Sequence, residues 1–399
     1  MGGNPVTRLA GMKDIAGAEY NRLLEASSVF EALALKAGYE MIDTPMMEQT
    51  ELFVRKSGGE LTTQLYSFID PSGNRVSLRP EFTSSVIRYF IDSDIQLSAP
   101  LRWQYKGPVF RHEDGLRQFT QVGAEFIGSS GIDSDIEIVN LALESLATMG
   151  ISSYTLCLGH VGVLQDLLDI FGLSESAKLF VFNNIQDLKY GITSTEVLLS
   201  DAKRLGITRE NSVTDGENTI ASLGTTDIRE LFTGVMAGPM SNPMGRRSTE
   251  DVVARLLRKV READHPDKLG EALSVVNQIV KIKGAPSDAI GRARATLNSK
   301  GLNLDVLDQV SDITTDLVSQ GVDDSLLVVD FGVTRGISYY TGIIFDVEVG
   351  NGDGSVSVGG GGRYDNLVKA LGGRDTPALG FAYALESVVA NSPYGSADG

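Results

Sequence analysis

The chain has 399 residues, 42% of them hydrophobic, enough to bury a large core, and its length suits two or three compact units. A formal charge of −17 and a pI near 4.7 work against nucleic acid, whose binders gain affinity from Lys and Arg meeting phosphates, so nucleic acid is not an expected partner. No run of about 18 apolar residues occurs, and Met1-Gly-Gly-Asn-Pro5 lacks the basic and apolar regions of a signal peptide, so no membrane association is expected and the cytoplasm is the expected location.

The first element is a helix over 19–37, where Leu23, Leu24, Val29, Phe30 and Leu33 recur at helical spacing and Gly38 provides the stop. Short strands follow at 40–43, 63–69 and 75–78, the last two joined by Asp70-Pro-Ser-Gly-Asn74, which has hairpin-turn composition. Longer strands are expected at 101–110 and 118–127. From 161 to 320 the texture is helical, as at 161–171, 250–263 and 269–283. Strand text returns at 325–333, 337–349 and 355–358, followed by a glycine run and two helices ending near Ala390. The simplest organisation is one domain in two parts, 1–160 and 325–392, split by a mostly helical insertion over 161–324, with 393–399 as a disordered tail.

Five segments carry candidate chemistry. In Gln118-Phe-Thr-Gln-Val-Gly-Ala-Glu-Phe-Ile-Gly128, strand alternation puts Gln121, Gly123 and Glu125 on one face, and a glycine between two polar residues leaves room for a ligand to approach the backbone. In the segment 333–346, Tyr339 and Tyr340 beside Arg335 suit a planar polar ligand with an anionic group, although aromatic strand residues also serve packing. Gly359-Gly-Gly-Gly-Arg-Tyr-Asp-Asn-Leu367 reads as a glycine turn from strand to helix, compatible with a phosphate cradle or a tight bend, without the Lys-Ser/Thr of a P-loop. Leu78-Arg-Pro-Glu-Phe-Thr83 and Gly107-Pro-Val-Phe-Arg-His-Glu113 complete the set. The single cysteine, Cys157, lies in an apolar run and reads as core. None of the three histidines, His112, His160 and His265, stands beside a nucleophile candidate, which argues against triad hydrolysis, and no metal cluster is visible.

In their order and spacing these segments resemble the class II aminoacyl-tRNA synthetase catalytic domain of the histidyl type, over about residues 5–160 and 325–390. The resemblance implies an α/β fold of the α+β kind, an antiparallel sheet flanked by helices. It also implies roles in histidine binding: Glu81 and Thr83 at the α-amino group, Arg111 and Gln121 at the carboxylate, Glu125 with Tyr340 at the imidazole, Tyr339 beside them. Arg335 matches the family's catalytic arginine, and homodimerisation through 38–53 is carried over likewise.

Three departures stand against adenylation. The loop after Phe110-Arg-His-Glu113 is only Asp114-Gly-Leu116, and Ser387 stands where the family's nucleotide-binding arginine belongs. The sequence also ends a dozen residues later, so no anticodon-binding domain is expected. These departures resemble the synthetase paralogues that serve as regulatory subunit of short-form ATP phosphoribosyltransferase, sensing L-histidine for feedback control of histidine biosynthesis. The expected partners are then L-histidine and the short catalytic subunit, with a homodimer inside a hetero-oligomer, no independent catalysis and no cofactor. The alternative is a divergent histidyl-tRNA synthetase lacking the anticodon-binding domain, which requires ATP and Mg²⁺ and uses Arg335. A further alternative is a ligating paralogue that modifies something other than tRNA.

Overall fold

The period-two pattern of 118–127 needs a partner on each face, and the computed structural model supplies two. The structure describes residues 6–55, 58–95, 97–113, 115–210, 263–333, 339–350 and 354–392. Arg335, residues 250–262 of the expected 250–263 helix and the 393–399 tail of the sequence reading lie outside these residues. Nine strands form one sheet: β1 (Glu40–Met41), β5 (Leu101–Phe110), β6 (Gln118–Ile127), β7 (Thr155–His160), β8 (Lys283–Gly284), β9 (Leu327–Asp330), β10 (Ile343–Gly350), β11 (Ser355–Arg363) and β12 (Ala378–Ala384). Their spatial order is β1-β5-β6-β12-β11-β10-β7-β9-β8. Pairing is antiparallel except for β1 with β5 and β7 with β9. A separate small antiparallel sheet is made of β2 (Met47–Gln49), β4 (Arg75–Leu78) and β3 (Ser67–Ile69). Its hairpin turns as expected, with Asp70 Oδ1 accepting from the Asn74 amide at 2.8 Å and Gly73 at φ +86°.

One face of the large sheet is covered by α1 (Gly17–Lys36), by a helix over Ile132–Thr148 and by a short helix over Leu385–Ala390. Val122, Ala124 and Phe126 of β6 point into that core, with Phe30, Leu146 and Phe381. On the other face a second core gathers Phe82, Val86, Ile87, Trp103, Tyr105, Tyr339, Tyr340 and Tyr364 around the helix Thr83–Asp92. The fold is thus a mixed α/β one, with a large, mostly antiparallel sheet flanked by helices.

Three expectations are corrected. The 359–362 glycines are not a turn or a phosphate cradle: β11 runs straight through them. A Cβ on Gly361 would stand 2.0 Å from the Gly380 carbonyl, and one on Gly362 would stand 2.4 Å from that of Ile343, so these positions admit no side chain between the neighbouring strands. Residues 378–384, expected within a terminal helix, form β12 at the centre of the sheet; a strand buried on both faces loses alternation and reads as an apolar run. Finally, contacts divide the chain into Met1–Val163 with Ile282–Gly399, and Leu164–Lys281. The expected insertion over 161–324 therefore ends early. Residues 282–324 join the sheet unit because β8 pairs with β9, and Ile313 and Leu317 of the helix Val306–Ser319 sit in the first core. In the Leu164–Lys281 unit, Ser174 caps the helix Glu175–Asn183 and is held by the buried Asp264 at 2.7 Å.

Gly361→Ala is expected to cost about 1–3 kcal/mol through overpacking, read as a lower denaturant midpoint. Gly350→Ala, whose added Cβ meets nothing within 4 Å, is expected to stay near wild type.

Candidate functional site

Glu125 lies on the second face of β6, 1% exposed. Three hydroxyls donate to it: Thr83 at 2.7 Å and Tyr105 at 3.1 Å to Oε1, and Tyr364 to Oε2. Across the strand pair it faces Gly380, where a Cβ would stand 1.8 Å from Oε2. Burial pushes the Glu125 carboxyl up to about 8, against the lowering effect of the hydroxyls, and the neighbouring Glu81 adds to the rise. The same burial raises the phenols of Tyr105, Tyr339 and Tyr364 well above the usual range.

Glu81 is also buried and accepts from the Ser84 amide at 3.1 and 3.2 Å, capping the start of the helix Thr83–Asp92. Desolvation raises its carboxyl, which the Ser84 bonds and the charge of Arg111 oppose. Gln121 Oε1 accepts from the Phe82 amide at 3.2 Å. The Arg111 guanidinium donates to the Pro80 carbonyl at 2.9 Å and lies 5.3 Å over the Phe119 ring. Tyr339 and Tyr340 pack at 5.1 Å between centroids, and Tyr339 meets Tyr364 edge-on at 5.4 Å. The structure thus brings Glu81, Thr83, Gln121, Glu125, Tyr339 and Tyr340 to one face, with Arg111 at its end; Arg335 is outside the described residues.

Sequence reasoning missed Tyr105, Tyr364 and Gly380. It also misread Gly123, where the room left by the absent side chain is occupied by Tyr105: a Cβ there would stand 2.6 Å from the Tyr105 hydroxyl. Tyr105 and Gly123 are register partners on β5 and β6, so a bulky residue opposite a glycine was the available signal. Tyr364 follows Arg363, whose guanidinium donates to Asp135 at 2.9 Å, Ser134 Oγ at 2.8 Å, Asp365 at 3.1 Å and the carbonyls of Ser129 at 2.8 Å and Gly131 at 3.2 Å.

A cleft of about 350 Å³ opens at the Arg111 end, lined among others by Glu113, Phe119, Gln121, Glu386 and Ser387. Glu386 is engaged with the Thr120 amide at 2.8 Å, and burial raises its carboxyl. Among the described residues no group of three or more His, Cys, Asp or Glu is placed to hold a metal ion, and no helix is long and apolar enough to cross a membrane. Cys157 is buried, as its apolar setting implied.

The Glu125 environment fixes a pH dependence. An unfolded glutamate ionises near 4.5, whereas Glu125 keeps its proton to about 8. Between these values the native state holds the extra proton, so its stability falls as pH rises. Glu125→Gln is expected to remove this loss, its gain over wild type growing from about pH 5 to about pH 8 in denaturant titrations. Asp135, raised to about 6 by burial, contributes equally to both proteins and cancels.

The histidyl-tRNA synthetase family model matches residues 11–193 and 247–388. The histidine–tRNA ligase of Pyrococcus horikoshii is 30% identical over 365 residues, 90% of this chain and 68% of its own. That of Sulfolobus acidocaldarius is 28% identical, covering 95% and 73%. Among solved structures, an ATP phosphoribosyltransferase regulatory subunit/histidyl-tRNA synthetase from Bacillus halodurans shares the fold at a TM-score of 0.68 and 21% identity, covering 98% of this chain and 84% of that one. A histidine–tRNA ligase subunit from Alicyclobacillus acidocaldarius does so at 0.61 and 23%, covering 98% of each. The chain belongs to the histidyl-tRNA synthetase family.

Proposed function

We propose that this chain binds L-histidine as a sensor and acts as a regulatory subunit of ATP phosphoribosyltransferase, without ligating histidine to tRNA. In this reading Glu81 and Thr83 meet the α-amino group, Arg111 and Gln121 the carboxylate, and Glu125 with the Tyr339–Tyr340 wall the imidazole. Buried polar groups of this kind reject side chains that leave them unpaired.

The observation that carries the reading is the cleft beside the buried cluster. Its described lining sets one guanidinium, Arg111, against two carboxyls, Glu113 and Glu386, with Ser387 where the sequence pattern calls for a cation. A triphosphate entering such a cleft gains one charge-assisted pair and meets two carboxyls rather than further cations. The net charge of −17 disfavours tRNA in the same direction. A solved relative of the same fold carries the regulatory-subunit name beside the synthetase name. The second reading, a histidine–tRNA ligase using ATP, Mg²⁺ and Arg335, is favoured by the curated relatives, which bear that name at up to 30% identity. Under the first reading the chain works in the cytoplasm as a homodimer within a hetero-oligomer.

Histidine-dependent ATP–pyrophosphate exchange separates the two: none is expected, and robust exchange would restore the ligase. Calorimetric titration of the chain, alone and in complex, is expected to detect histidine binding, with Glu125→Ala weakening it by about 2–3 kcal/mol because the ring nitrogen loses its partner. When the chain is mixed with a short catalytic subunit from the same genome, phosphoribosyl-ATP formation is expected to rise and to become inhibitable by histidine. Failure both to co-elute and to raise the rate removes the regulatory assignment.

A further inference from the structure

Glu125 is a buried carboxyl whose bonded neighbours are all hydroxyls. Thr83 reaches it from the start of the helix after β4, Tyr105 from β5, and Tyr364 from the end of β11. Glu81 and Tyr339 are the other titratable groups facing it, and Arg111 acts on Glu81. Among the described residues no cation pairs with Glu125. On the β12 side Gly380 stands so close that no side chain fits between backbone and carboxyl. A buried carboxylate without a counter-ion is costly, and burial raises this group to about 8, which favours the protonated form. Hydroxyls both donate and accept. Three of them around one carboxyl can serve its neutral and its charged form by reorienting, which fixed N–H donors cannot do.

We propose that Glu125 meets the bound ligand as the neutral acid: a neutral imidazole enters and its ring nitrogen shares the proton of a Glu125 oxygen, the carboxyl being held by Thr83, Tyr105 and Tyr364. The pair holds one proton between oxygen and nitrogen, the number its free partners bring, so no proton is exchanged with solvent while the free ligand is neutral and the free carboxyl protonated. This rests on the reading of the site as a histidine pocket and adds its selectivity: a side chain of similar shape without a basic nitrogen cannot share the proton. An ordinary carboxylate would instead capture the imidazolium form from solution and bind best below the pKa of free histidine, near 6.5.

The test is calorimetric titration of the full chain with L-histidine at about pH 5.5, 7.2 and 8.5, each in two buffers of different ionisation heat. Binding is expected to be tightest near pH 7.2. At about pH 5.5 it is expected to be roughly tenfold weaker, with release of one proton, because the ligand now arrives protonated while Glu125 still holds its own. Near pH 8.5 it weakens again with proton uptake, and Glu125→Gln removes this alkaline loss while keeping the acid one. Affinity that rises toward pH 5.5, or an absence of proton release there, overturns the proposal and leaves the histidine pocket standing. An absence of histidine binding at every pH overturns both.

Discussion

A carboxyl buried with no cation beside it among the described residues is the constraint around which this site is built. Glu125 is admitted to the sheet only because its cross-strand partner, Gly380, has no side chain, and because three hydroxyls converge on its oxygens. Each of those needs its own accommodation. The Tyr105 ring lies where a side chain at residue 123 would project, so Gly123 is fixed by Tyr105. Tyr105 in turn stacks on Phe82 at 4.4 Å, and the Phe82 amide donates to Gln121. Two glycines, a tyrosine and a phenylalanine are thereby tied to one glutamate.

Tyr364 is placed by a different device. Each of the five N–H groups of a guanidinium is a donor, and Arg363 uses them on Asp135, Ser134, Asp365 and the carbonyls of Ser129 and Gly131. The Arg363 carbonyl accepts from the Thr341 amide at 2.8 Å, so the segment carrying Tyr339 and Tyr340 is tied to the same residue that sets Tyr364. A buried ion pair adds little net stability against an apolar replacement, but losing one partner costs about 3–5 kcal/mol. Its contribution here is positional. Recognition groups need support from packed, fully bonded neighbours to hold their geometry, and Arg363 supplies that support for the aromatic wall.

The sequence disclosed the parts of this arrangement that lie along single strands. The bounds expected for β5, β6 and β4 agree with the structure, and the alternation in 118–127 put Glu125 and Gln121 on the correct face. What it concealed lies between strands. Tyr105 and Tyr364 did not stand out because the carboxyl that their hydroxyls meet is distant in sequence. The glycines of β11 read as a turn because glycine freedom and glycine smallness leave the same letter; here smallness is what neighbouring backbones demand. Residues 378–384 read as helix because burial on both faces removes the periodicity that marks a strand. The segment 282–324 read as insertion because helical texture does not reveal which core a helix joins.

The two halves of the site differ in what they can do. The end around Glu125, which the proposed function gives to the amino acid, is buried and densely bonded, whereas the adjoining cleft presents carboxyls and a serine beside a single described guanidinium. Adenylation needs both halves, because charge developing on a transferring phosphoryl group must be met by cations already in place. A pocket that binds an amino acid without activating it is useful only through linkage: occupancy must favour one state of an assembly over another, and it can do so by no more than its difference in affinity for the two. That requirement is modest. A difference of about 1.4 kcal/mol changes the ratio of states tenfold, within the range of ordinary allosteric coupling. Under the proposed reading, a serine in place of one cation turns the same scaffold toward sensing, provided the buried carboxyl and its hydroxyls are kept.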